Sequence, residues 1–136
     1  MSKRKKMKAL LKSLFVLVMV GLVLSGCRTS AVYNVEKSSI DVKTTEDKVF
    51  EAIKRAGYTK GWIITKVKPG LAEGKIALRQ HMATVEIPYT SKSFSIVYKN
   101  SMNLNYDSTK GTIHQNYNGW VQNLENAIAI ELSMLQ

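Results

Sequence analysis

The 136-residue chain has one cysteine, Cys27, two prolines and two histidines. A single cysteine excludes a disulfide within the chain, so the fold must hold by packing alone. His81 and His114 are isolated, outside His-x-x-x-His or Glu-x-x-His spacing, with no second thiol to join them. Neither a metal nor another cofactor is expected. Serines occur in no Gly-x-Ser-x-Gly context. Gly57, Gly61, Gly70, Gly74 and Gly111 punctuate the chain and form no phosphate loop. No basic stripe interleaved with aromatics is present, which argues against a nucleic-acid partner. Internal repeats and low-complexity stretches are lacking too. With no positioned nucleophile, acid or base, nothing marks the chain as an enzyme.

Positive charge is present in excess, but chiefly at one end. Lys and Arg number 20 against 10 Asp and Glu, a net charge of +10. Lys3, Arg4, Lys5, Lys6, Lys8 and Lys12 supply six of the 20 basic residues, and no acid precedes Cys27. The rest therefore holds 14 basic residues against 10 acidic ones, a modest +4. That balance suits solubility, with some attraction to anionic headgroups. After the basic head comes an uncharged run of 11 residues, Leu14 to Leu24, and then Leu24-Ser25-Gly26-Cys27. A permanent membrane helix needs roughly 20 apolar residues. The competing reading, a transmembrane anchor over Ala9 to Leu24, must accommodate Lys12.

Head, apolar run and Leu-Ser-Gly-Cys together resemble the signal of bacterial lipoproteins. The resemblance implies that residues 1–26 are removed and that Cys27 is acylated as the first mature residue. Each buried CH₂ of an acyl chain adds roughly 0.8 kcal/mol of membrane affinity, so two or three chains anchor firmly. Arg28, rather than Asp, follows Cys27. In sorted lipoproteins that choice implies the outer membrane, facing the periplasm, over the inner membrane.

About 110 residues remain, enough for one small domain with its own core. Residues 27–43 read as the acylated cysteine followed by a tether or weak strand, and residues 44–136 as a single domain. Val49, Phe50, Ile53 and Ala56 form an apolar stripe, predicting a helix from Thr45 to Ala56. Thr44 or Thr45 would cap it, and Gly57 would stop it. Strands are expected over Trp62–Lys68, Lys75–Gln80, Met82–Tyr89 and from Phe94 onward. Turns are expected at Pro69-Gly70 and Glu73-Gly74. Ala83, Val85, Ile87 and Tyr89 should share one face. Leu104 and Tyr106 would extend the last strand. Tyr117, Trp120, Val121, Leu124, Ile128 and Leu132 predict a final helix to Leu135, capped by Asn116 or Asn118, with Trp120 buried. The expected architecture is α+β: a two-layer sandwich, an antiparallel meander of four to five strands with two helices on one face.

One stretch concentrates amides and aromatics: Asn103, Tyr106, His114, Asn116, Tyr117 and Asn118. Phe94-Ser95-Ile96, Asn103-Leu104-Asn105-Tyr106, Ile113 through Val121, and Asn123-Leu124 resemble a family of small proteobacterial lipoproteins of unknown function. The resemblance spans Val49 to Leu132, with Gln115 where that motif has Pro and Gly119 where it has Arg. It carries no activity across. Two readings of the patch stay open: a structural strand-to-helix junction, or a ligand surface suited to sugar rings or peptide backbone. The functional expectation is a membrane-anchored envelope lipoprotein that binds or scaffolds another envelope protein without catalysis. The alternatives are a module for peptidoglycan or lipopolysaccharide, and a small envelope enzyme.

Overall fold

The computed structural model describes residues 3–9 and 28–135. Residues 3–9 are helical, while the Leu24-Ser25-Gly26-Cys27 motif and its acylation site at Cys27 lie outside the described residues. From residue 29 the order is β1 (Thr29–Ala31), β2 (Val35–Ser39), α1 (Glu46–Thr59), β3 (Trp62–Lys68), β4 (Leu71–Leu78), β5 (His81–Pro88), β6 (Ser93–Met102), β7 (Thr112–His114) and α2 (Gln115–Ser133). β3 to β6 form an antiparallel meander, and β2 pairs with β6, giving the sheet order β2-β6-β5-β4-β3. β1 and β7 make a separate two-stranded ladder, with Thr29 opposite His114. The helices cover one sheet face, so the chain is the expected two-layer α+β sandwich.

Period-two alternation builds the sheet side of the core. Ala83, Val85, Ile87 and Tyr89 are all buried, as are Phe94 and Ile96 on the next strand. The helical stripes close over them: Val49, Phe50, Ile53 and Ala56 from α1, and Tyr117, Val121, Leu124, Ile128 and Leu132 from α2. Thr45 caps α1 by accepting the Lys48 N–H at 3.3 Å.

Two glycines act otherwise than expected. α1 runs through Gly57 to Thr59, and the left-handed residue is Gly61, at φ +80°. Gly57 is buried, and a Cβ there would collide with Ile64. Glu73-Gly74 is no turn but lies inside β4. A Cβ on Gly74 would lie 3.1 Å from both Ile64 Cδ1 and Val85 Cγ2. Both glycines provide room for side chains rather than unusual backbone angles.

The C-terminal half differs at its junctions. β6 ends at Met102, because Asn103 and Asn105 take left-handed angles of φ 59° and 51°. Leu104 therefore enters the core from a loop, while Tyr106 stays exposed. α2 is capped by His114, whose Nδ1 accepts the Asn116 N–H at 3.1 Å, and not by Asn116 or Asn118. Trp120 is only half-buried; Tyr117 is the large fully buried aromatic of this helix. Residues 28–43 contain β1 and β2, both paired with later strands, so a boundary at residue 44 cuts through the folded layers.

Candidate functional site

The six patch residues are held close together in the chain but do different things. Tyr117 is fully buried with its ring 5.6 Å from Tyr98, edge to face. Burial pushes its phenol pKa up, with the nearby Tyr98 adding to it. Tyr98 in turn lies 4.2 Å from Tyr106, which is 43% exposed. Asn118 ties the N-terminal segment down: its amide donates to Ser30 Oγ and Ala31 O, and its Oδ1 accepts the Tyr33 N–H. Asn103 donates to Gln80 O at 2.7 Å, and its own carbonyl lies 2.8 Å from His81 Nδ1. His114 caps α2, and the exposed Asn116 supplies the capped N–H. Asn103, His114 and Asn118 thus spend polar atoms on backbone and neighbouring side chains, as a junction requires. Asn103, Tyr106 and Asn116 are the exposed members of the six, and the Asn103 side-chain amide is already bonded to Gln80.

A different surface is open for contact. β3 is the outermost strand, so one side of its backbone has no strand partner. Its second half is guarded: the register shifts between Lys66 and Lys68, which interrupts a flat ladder. Its first half, Trp62 to Thr65, pairs regularly with β4 and carries no charge. A groove of about 520 Å³ flanks this half, lined by Lys54, Tyr58, Trp62, Ile63 and Ile64 among others. Tyr58 is 85% exposed and Ile63 73%. Trp62 is buried, and its indole N–H has no hydrogen-bond partner. The run Trp62-Ile63-Ile64-Thr65 was readable as a strand; its place at the edge depends on strand order in space.

The sheet face away from the helices carries an ion cluster. Lys99 donates to Glu73 at 2.7 Å and reaches Glu86 at 3.8 Å, while Lys75 lies 3.4 Å from Glu73. The Lys99 hydrogen bond, with help from Lys75, holds the Glu73 carboxyl below its usual pKa; the same bond raises Lys99. Among the described residues no three His, Cys, Asp or Glu side chains gather as a metal would need, and no helix is long and apolar enough to cross a membrane. No protein-family model, curated protein or solved structure matches the chain.

Proposed function

We propose that the chain is an acyl-anchored lipoprotein of the bacterial envelope, held in the outer membrane facing the periplasm, that binds or scaffolds another envelope protein by contact. The observation that carries this reading is the open, uncharged first half of β3 beside an apolar groove. An extended segment of a partner would add to Trp62–Thr65 by main-chain hydrogen bonds, with one side chain seated between Tyr58 and Ile63. The Leu-Ser-Gly-Cys leader supplies the address. The glycan reading draws on Asn103, His114 and Asn118, whose polar atoms are already engaged within the fold, so contact through β3 is preferred.

The test uses the native full chain, crosslinked in cells and captured with its neighbours. Ile63→Asp and Tyr58→Ala alter exposed side chains and should leave melting temperature nearly unchanged. Both should deplete one partner from the captured set. An identical set for wild type and both variants would overturn the assignment of β3 as the contact edge.

A further inference from the structure

Four segments are stitched together at one end of the molecule. The Arg28 carbonyl accepts the Gln115 N–H at 2.9 Å, fixing the start of the described domain to the start of α2. The Leu104 carbonyl accepts the His114 N–H at 2.8 Å, which brings in the loop after β6. Asn103 bonds to Gln80, which brings in the β4–β5 turn. Trp62 pairs with Ile76, two residues before β4 ends, so Lys60 and Gly61 lie at this end too.

This end is the one from which the chain continues toward Cys27, a single residue before Arg28. Its exposed side chains have a particular composition. Arg28, Lys60, Arg79 and Lys110 are exposed cations. The acid in its loops, Asp107, turns its carboxylate inward to accept the N–H groups of Thr109 and Lys110, at 2.9 and 3.0 Å. The strand ends and loop of this end also carry exposed apolar side chains: Leu78 at 46%, Met82 at 36%, Met102 at 55% and Tyr106 at 43%. Met82 and Met102 are cross-strand neighbours. The opposite end mixes the two signs: Lys43, Lys48, Lys66, Lys68 and Lys92 stand among the exposed acids Asp41, Glu46 and Asp47, and Lys66 pairs with Asp47 at 3.6 Å.

We infer that this end is a membrane-docking face, which lays Tyr106 and the methionines at the headgroup boundary while the four cations meet anionic phospholipid phosphates. The inference rests on acylation of Cys27, because the anchor brings this end to the bilayer and holds it there. Both the position of the chain exit and the lack of open acid in the loops of this end, against three exposed acids at the other, select lipid as the occupant. Lys and Arg are drawn to an anionic surface, and amphipathic Tyr suits the interface. An acyl anchor fixes distance from the membrane; these side chains fix orientation. With this end down, β3 stands upright from the bilayer and its open edge faces sideways.

The test places the native acylated full chain in vesicles of phosphatidylethanolamine with phosphatidylglycerol, and separately in phosphatidylcholine alone. Backbone hydrogen exchange is read by mass spectrometry. Exchange in residues 59–61, 79–82 and 103–111 is expected to slow in the anionic vesicles by about tenfold relative to the neutral ones. Residues 68–70 and 88–93 should be unaffected. Arg79→Glu combined with Lys110→Glu should abolish the difference while leaving the melting temperature unchanged. Acylated Cys27 with equal exchange in the two vesicles, or with protection at the opposite end, overturns the docking face and leaves the anchor standing. Unacylated Cys27 in the native protein overturns the anchor reading and the inference together.

Discussion

Tyr117 shows how a single side chain can be both necessary and imperfectly satisfied. It is completely buried, and its hydroxyl has no hydrogen-bond partner. The ring fills the centre of the core, whereas the oxygen gains nothing there and costs desolvation. Tyr117→Ala should therefore lower stability by roughly 3–5 kcal/mol, while Tyr117→Phe should leave it unchanged or higher. Urea denaturation of the two variants checks the pair. The phenol also predicts a pH response. Its pKa is raised in the fold, so stability is fully present below the ordinary tyrosine value of 10.0 and falls as pH rises past it, when the unfolded chain ionises first. Tyr117→Phe should flatten that alkaline decline; an equally steep decline in the variant would assign the effect to other groups. Trp120, half-buried, should cost less on truncation to Ala than Tyr117 does. Helical spacing put both aromatics on one stripe. Which of them lies at its centre depends on where α2 crosses the sheet, a relation between distant segments. The His114 cap was missed for a related reason: histidine is an uncommon cap, and the nearby Asn116 and Asn118 are common ones.

Elements show which signals were local. The faces of β5 and β6 follow from strict alternation, and both apolar helix stripes follow from their spacing. Gly57 and Gly74 misled because glycine is read as backbone punctuation, and here each glycine accommodates Ile64 across two elements. Gly74→Ala should lower stability by about 1–3 kcal/mol through overpacking against Ile64 and Val85. Pairing it with Ile64→Val should recover part of that loss, which thermal melts of the single and double variants would reveal. A second elemental prediction concerns the ion cluster on the open sheet face. Glu73 has a lowered pKa in the fold, so its contribution is complete above the ordinary value of 4.5 and is lost as pH falls through the lower folded value. Glu73→Gln should remove this portion of the acid-induced loss of stability, measured by urea midpoints between neutral and acid pH. An unaltered acid limb would mean that Lys99 and Lys75 contribute nothing through Glu73.

At the scale of the whole molecule, the N-terminal segment is what would join the proposed anchor to the fold. β1 starts two residues after Cys27 and pairs with β7, and Asn118 clamps Ser30, Ala31 and Tyr33. These partners lie more than 80 positions apart in the chain, which is why a polar stretch with isolated valines read as tether or weak strand. An acyl group on Cys27 would therefore bear directly on the folded body, with only Arg28 between lipid attachment and first strand. The charge distribution supports the same division: six cations and no acid precede Cys27, and the balance after it is 14 basic residues to 10 acidic. A leader of that kind is expected to leave once the cysteine is modified. Cys27→Ser removes the acceptor thiol at a position outside the described residues. The variant should accumulate as an unprocessed precursor that retains residues 1–26, while its domain keeps the wild-type melting temperature after limited proteolysis. Intact-mass spectrometry of both proteins decides the matter. A wild-type mature N-terminus other than acylated Cys27 would defeat the lipoprotein reading, and a transmembrane anchor over residues 9–24 would then account for the apolar run.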